Sequence, residues 1–129
     1  VSPGHEFNGI QETDLDDLYA HYLARLSDYK LAWLHVMRPF ANATAADPVT
    51  MARGLYTGAI IACGGYSGET GAALVASGGA DAIAYGRDYI SNPDLVERIK
   101  SGAALTPPHQ ASFYTPGEKG YTDYQSLAA

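Results

Sequence analysis

Apolar residues recur at helical spacing near the start of the chain. Six of them fall on one face of a helix between residues 13 and 29: Leu15, Leu18, Tyr19, Tyr22, Leu23 and Leu26. This spacing predicts an amphipathic helix over 13–29 whose apolar stripe faces a core. Thr13 is the expected N-cap, and the aspartates that follow it suit the positive end of the helix dipole.

Short apolar runs follow the first helical segment. Residues 31–37 are apolar almost without a break, which predicts a parallel strand buried on both faces. His35 lies inside this run, and we interpret it as a hydrogen-bonded core histidine. Shorter runs at 59–63 and 82–85 predict two further strands, each closed by a turn that contains glycine.

Helical segments separate and follow these strands. Asp47-Pro48 is expected to begin a helix through about Leu55, after a loop at residues 38–48. Ser67 is the expected cap of a helix that ends near residue 77, before two glycines. Asn92 is the expected N-cap of a last helix with Pro93 at its first position, and a tail without clear periodicity follows.

The alternation of strands and helices predicts an α/β fold. Short connections between the elements imply parallel strands joined by right-handed crossovers. Two architectures fit this order: an open doubly wound sheet, and part of a (β/α)₈ barrel. A complete barrel needs about 250 residues, roughly twice the length of this chain. Either way, residues 1–129 are expected to form one domain without a second.

The composition of the chain excludes several classes of binding partner and site. The chain is 47% hydrophobic, enough for one core, and its net charge is −6 with scattered basic residues. An acidic chain repels phosphate-rich partners, so neither nucleic acid nor an anionic membrane is expected to bind. Cys63 is the single cysteine, which excludes an intrachain disulfide. The histidines show no ligand spacing with it, so no metal site is expected.

Two glycine turns carry the candidate chemistry. Cys63-Gly64-Gly65 follows the second predicted strand, and Gly86-Arg87 follows the third. Glycine allows the backbone to approach a ligand closely, and arginine offers a charged fork to a phosphate. Ordinary turn chemistry explains either turn taken alone. Together they favour a phosphate site, because loops after the last two strands of (β/α)₈ barrels commonly form one.

Several segments resemble the old yellow enzyme family of flavin-dependent oxidoreductases. Residues 85–95, Tyr-Gly-Arg-Asp-Tyr-Ile-Ser-Asn-Pro-Asp-Leu, are similar to the family's signature around its last barrel strand. Residues 112–114 and 120–124 resemble the C-terminus of its bacterial members. Residues 1–4 resemble the end of the fifth strand, and 31–37 resemble the sixth. The resemblance implies the C-terminal half of the barrel, from the end of strand five through helix eight and the tail.

The resemblance also implies an FMN site. Cys63, Gly64 and Gly65 match the seventh-strand turn whose backbone approaches the FMN phosphate, and Gly86 and Arg87 match the eighth-strand pair. The family usually has Ala or Asn near the seventh-strand turn, where this chain has Cys63 and Gly65. In the tail, Tyr114 matches an aromatic residue near the flavin and the substrate pocket.

The family's catalytic residues have no matched position in this chain. They are a His/Asn or His/His pair that binds the substrate carbonyl, a proton-donor Tyr, a Thr that tunes the flavin, and an Arg just before the position of Val1. The segment alone is therefore expected to be inactive. The resemblance implies a parent enzyme that reduces activated alkenes with NAD(P)H once the N-terminal half of the barrel is present. We expect this enzyme to be cytoplasmic, and a homo-oligomer is an open alternative to a monomer.

Two alternatives remain open at this point. The chain could be a non-catalytic half-barrel that binds a phosphate ligand or assembles with a partner half-barrel, because open strand edges and an uncovered apolar face need a partner. It could also belong to another phosphate-binding (β/α)₈ enzyme, such as an isomerase or a dihydroorotate-type flavoenzyme.

Overall fold

The computed structural model describes residues 1–39 and 47–127. Residues 40–46, within the loop predicted at 38–48, lie outside the described residues. The chain divides into two compact units, Val1–Ala84 and a second that begins at Tyr85. Within the described ranges, no helix has the length and apolar character needed to cross a membrane.

The first unit is a three-stranded sheet with helices between its strands. Its elements are α1 (Leu15–Leu26), β1 (Leu34–Met37), α2 (Pro48–Leu55), β2 (Ile60–Cys63), α3 (Gly68–Ala76) and β3 (Ala82–Ala84). The strands lie in the order β1-β2-β3, and both pairs are parallel. The predicted order of strands and helices and the parallel sheet are confirmed.

One face of the sheet forms the core of this unit. Side chains alternate across a strand, so Leu34, Val36, Ile60 and Ala62 share one face and are buried. The helices cover this face. They add Leu23, Val49 and Ala52 to the same buried cluster, and Tyr56, the residue after α2, joins it.

The other face of β1 differs from the prediction. His35 is exposed, so the interpretation as a core histidine is wrong. Trp33 lies just before the strand and is 57% exposed. The prediction of burial on both faces fails for β1, because the helices of this unit pack on the face of Leu34 and Val36 only.

Helix α1, Leu15–Leu26, is shorter at both ends than the helix predicted over 13–29. Asp14 is its N-cap in left-handed conformation (φ +53°), without a capping side-chain bond, so Thr13 as N-cap is wrong. Just before the helix, both carboxylate oxygens of Glu12 are engaged. They accept hydrogen bonds from the Gly4 N–H (3.2 Å) and the Tyr19 hydroxyl (2.7 Å), and the chain enters α1 from this anchor. Helix packing also buries a narrower stripe than predicted, centred on Leu23.

The caps of α2 and α3 match their predictions. The Asp47 carboxylate accepts the backbone N–H groups of Val49 and Thr50, and Pro48 occupies the first helical position. Ser67 forms a reciprocal capping box with Thr70. These local signals depend only on neighbouring residues, which explains why the sequence predicts them well.

The second unit is described by itself. It contains α4 (Arg87–Ser91), α5 (Leu95–Ser101) and a 3₁₀ turn at Gln110–Ser112. The prediction that Asn92 caps the last helix is wrong: Asp94 precedes α5, and Asn92 follows α4. Asn92 is fully buried, and its side chain bonds the Thr106 backbone through both N–H (2.8 Å) and C=O (3.1 Å). It therefore joins the helices to the tail.

Candidate functional site

The strands β2 and β3 end side by side. Cys63 is in register with Ala84, and the strands are parallel, so both chain segments leave the same edge of the sheet. Gly64 follows Cys63 directly, and Gly86 follows Ala84 by two residues. Ligand sites of parallel α/β proteins form at this carboxyl edge.

The Gly64-Gly65 turn requires glycine for two different reasons. Gly64 has φ +103°, and a Cβ there would lie 2.8 Å from the Arg38 carbonyl oxygen. Gly65 has φ +73°, yet among the described residues no atom lies within 4 Å of its added Cβ. Gly64 is thus closely packed, whereas Gly65 presents bare backbone to open space that a ligand can enter.

Arg38 joins the end of β1 to this turn. Its N–H donates to the Cys63 carbonyl (2.9 Å), and its carbonyl oxygen lies 3.1 Å from Nε2 of the buried His5 ring. Its guanidinium pairs with Asp47, Nε–Oδ2 2.7 Å, and lies 5.2 Å from the centre of the Tyr66 ring. Burial raises the pKa of Tyr66, and the nearby Arg38 opposes the rise. The sequence pattern did not predict this role; its only signal was an arginine directly after a strand.

Gly86 has no conformational reason to be glycine. Its φ of −94° and ψ of −75° suit any residue, and none of the described residues has an atom within 4 Å of an added Cβ. Arg87 is exposed and is the first residue of α4. The preceding Tyr85 has a raised pKa because of burial and the charge of Asp88.

The remaining predicted site residues lie as follows. Cys63 is half-buried at the end of β2. Tyr114 is 91% exposed, and its ring meets Phe113 edge to face at 6.4 Å between centroids. In the part of the chain that the structure describes, no three His, Cys, Asp or Glu side chains are arranged to hold a metal ion.

A cleft that the sequence did not predict lies in the first unit. It has a volume of about 490 Å³ and is lined by residues 4–6, 9–12 and Leu15. The Glu12–Tyr19 hydrogen bond braces its wall against α1. Burial, together with the Glu12 carboxylate, raises the pKa of Tyr19 to about 12. Tyr19 therefore stays protonated and remains a donor to Glu12 at neutral pH.

These features define a parallel α/β protein with the Gly64-Gly65 turn at the carboxyl edge of its sheet. The model of the NADH:flavin oxidoreductase / NADH oxidase family matches residues 11–106. The chain belongs to this family.

Curated relatives agree with the family. A probable flavin mononucleotide-dependent alkene reductase of Leishmania infantum is 39% identical over 126 residues, which is 96% of this chain and 34% of that protein. The 12-oxophytodienoate reductase 7 of Oryza sativa subsp. japonica is 40% identical over 112 residues, 76% of this chain and 28% of that protein. The chain thus spans about a third of the length of the relatives it matches.

Solved structures extend the similarity to the fold. The old yellow enzyme from Trypanosoma cruzi superposes with a TM-score of 0.91 at 31% identity, over 98% of this chain and 34% of that one. Morphinone reductase in complex with tetrahydroNAD gives a TM-score of 0.86 at 33% identity, over 98% and 34% of the two chains. Kinship with the old yellow enzymes is confirmed, and the α/β fold fits part of their (β/α)₈ barrel.

Proposed function

We propose that the parent protein is an FMN-dependent oxidoreductase that reduces activated alkenes with NAD(P)H. The named activity of the Leishmania relative and the tetrahydroNAD complex of morphinone reductase support this substrate and donor. This chain would be the C-terminal half of the barrel, from the end of strand five through helix eight and the tail. It would contribute the FMN-phosphate site.

The observation that carries the proposal is the pairing of Cys63 with Ala84. Because these residues end neighbouring parallel strands, the glycine turn after each strand starts from the same sheet edge. In this proposal the backbone of residues 63–65 and of Gly86 approaches the FMN phosphate. Arg87 neutralises the phosphate through its guanidinium fork.

The residues fit a phosphate group. Side chains at Gly65 and Gly86 would project into space that no described residue fills within 4 Å, and a phosphate needs such bare backbone to approach closely. Helix α3 begins three residues after Gly65, so the positive end of its dipole favours an anion at this turn. Bound FMN would carry the hydride from nicotinamide to alkene.

The other residues of the segment support binding and have no direct catalytic role. Tyr114 would face the flavin and the substrate, and its exposed ring leaves it free of a buried packing role in its own unit. The groups that activate the alkene would come from the N-terminal half of the barrel, the partner this segment needs. A complete catalytic site therefore requires both halves.

The test compares FMN with riboflavin, which lacks the phosphate, in the full-length parent protein. Replacing Arg87 by Ala should weaken FMN binding about tenfold to a hundredfold and leave riboflavin binding unchanged. The matched control is Arg25→Ala, because Arg25 is an exposed arginine whose ion pair with Asp28 is also exposed. Unchanged FMN affinity in Arg87→Ala would contradict the proposal.

A second candidate is a non-catalytic half-barrel that assembles with a partner, either another half-barrel or a copy of itself. The exposed Trp33 beside the sheet favours it, because its ring leaves apolar surface to cover. Residues 1–129 expressed alone should then elute as an oligomer in size-exclusion chromatography. A stable monomer would contradict this candidate.

A further inference from the structure

Arg38 is the residue that contacts the Gly64–Tyr66 turn from the neighbouring strand. Its backbone and side chain act at two different points. The N–H bonds the Cys63 carbonyl at 2.9 Å, and the guanidinium lies over the Tyr66 ring at 5.2 Å from its centre. One residue thus holds the turn at both ends.

The turn is packed against Arg38 without spare room. A Cβ on Gly64 would meet the Arg38 carbonyl oxygen at 2.8 Å and its Cβ at 3.2 Å. That carbonyl is itself fixed by the buried His5 ring, whose Nε2 lies 3.1 Å away. The position of Gly64 therefore follows the position of the Arg38 backbone.

The charge of Arg38 is largely engaged within the chain. Asp47 Oδ2 accepts from Nε at 2.7 Å, while Asp47 Oδ1 caps α2. A guanidinium neutralised in this way offers little net charge to a distant anion, but its plane remains suited to stacking on an aromatic ring. Its contribution to the turn is therefore geometric.

We propose that Arg38 is a positioning residue for the phosphate-binding turn: with its guanidinium over the Tyr66 ring and paired with Asp47, it holds Gly64 and Gly65 in the conformation that receives the FMN phosphate. The inference rests on the proposed function. It assigns a role to a residue that precedes Gly64 by 26 positions and directly follows a different strand, β1.

The experiment measures FMN and riboflavin affinities of the full-length parent protein by flavin fluorescence titration. Arg38→Met should weaken FMN binding about tenfold and leave riboflavin binding unchanged, because in the proposed function the turn would receive the phosphate, which riboflavin lacks. Tyr66→Leu should give a similar loss, and Tyr66→Phe, which keeps the ring, should retain wild-type affinity. The double variant Arg38→Met, Tyr66→Leu should bind FMN no more weakly than either single variant, since both remove one interaction.

Three results would overturn the inference. One is an equal loss of FMN and riboflavin affinity in Arg38→Met, which indicates general damage to the fold. Another is wild-type discrimination between the two flavins in Tyr66→Leu, a variant that keeps the Arg38–Asp47 pair and so tests the turn even where Arg38→Met does not fold. The third is additive losses in the double variant.

The same titration separates this inference from the proposed function. Arg87→Ala tests the phosphate site itself. A wild-type FMN affinity in Arg87→Ala would contradict the proposed function, and with it the inference about Arg38. A weakened Arg87→Ala together with an unaffected Arg38→Met removes the positioning role alone.

Discussion

Arg53 and Asp81 form an ion pair, Nη2–Oδ2 2.5 Å, where the amino-terminal ends of β2 and β3 meet. The same Asp81 oxygen accepts the Ile60 N–H at 2.8 Å. Arg53 also donates to the backbone carbonyls of Gly58 and Gly79 at 3.3 and 3.5 Å. One pair of side chains thus ties α2 to the loops that enter both strands, at the end of the sheet opposite the glycine turns.

Replacing Arg53 by Met should destabilise the parent protein by about 1–2 kcal/mol, because the Gly58 and Gly79 carbonyls and Asp81 lose the hydrogen bonds that Arg53 donates. Chemical denaturation measures the change. Arg25→Met is the control, since its exposed pair with Asp28 should contribute almost nothing. FMN affinity should stay at the wild-type value in both variants. Equal stability of the two variants would contradict the bracing role.

The loss of stability at acid pH should depend in part on Asp81. The Ile60 N–H and the Arg53 guanidinium lower the pKa of this carboxyl. Near these pKa values the folded state therefore binds fewer protons than the unfolded state. The contribution of Asp81 to the free energy of unfolding is complete above the unfolded pKa of about 4, and it is lost as pH falls through the lower pKa of the folded state. Melting temperatures from pH 7 to pH 3 should fall less steeply in Asp81→Asn than in the wild type. Parallel curves would show that Asp81 does not contribute.

The sequence predicted the elements whose signals are local. Asp47-Pro48 and Ser67 satisfy backbone N–H groups within three residues, so their helices begin where predicted. The short runs of β2 and β3 are bounded by glycines and fall at the predicted positions. Parallel pairing followed from the order of the elements alone.

Predictions from the sequence were wrong where the structure depends on contacts between residues that are distant in the chain. Asparagine is a residue type favoured at N-caps, but the Asn92 side chain accepts a hydrogen bond from the N–H of Thr106, 14 residues later. A local sequence pattern does not reveal that contact. Helix α4 has only five residues, too few to show a period. For His35, an apolar run indicated burial, whereas the packing of the helices covers one face only.

The candidate site was predicted only in part. Its glycines and Arg87 carry visible signatures, because an unusual density of glycine at strand ends is readable in the sequence. The role of Arg38 depends on the register of β1 with β2, which pairs Met37 with Cys63 and brings the next residue against Gly64. Register is set by tertiary packing, so no motif announces this contact.

The tail should depend on a single buried arginine. Arg98 is 7% exposed and donates to Asp94 (2.8 Å), to the Ala104 carbonyl (2.9 Å) and to the Gln125 carbonyl (3.0 Å). The Asp94 carboxylate also accepts the Leu127 N–H at 2.7 Å. Arg98→Met should therefore destabilise the second unit by about 1–3 kcal/mol, since the Ala104 and Gln125 carbonyls lose the donor that Arg98 supplies and Asp94 loses one of its two.

Limited proteolysis of the parent protein measures the release of the tail. Cleavage after Lys119 should accelerate in Arg98→Met and remain slow in Lys100→Met, the matched control, because Lys100 forms an exposed pair with Glu97 on the same helix. Equal cleavage rates in the two variants would show that the tail is held by other contacts.

Alanine should destabilise the protein at position 64 and leave its stability nearly unchanged at position 86. At Gly64, φ is +103° and the new methyl group would meet the Arg38 carbonyl at 2.8 Å, so Gly64→Ala should cost at least ~2 kcal/mol of stability. At Gly86 the backbone is unstrained and no described atom lies within 4 Å, so Gly86→Ala should change stability by less than about 0.5 kcal/mol.

FMN affinity should fall in both variants, but in Gly86→Ala it should fall without a loss of stability. The methyl group of Gly86→Ala would occupy the space proposed for the phosphate, so FMN affinity should fall about tenfold while riboflavin affinity and the melting temperature stay constant. Gly64→Ala should lower the melting temperature as well as FMN affinity. Normal FMN binding by a well-folded Gly86→Ala protein would mean that the open space beside Gly86 does not receive the phosphate, and the eighth-strand turn would then contribute through Arg87 alone.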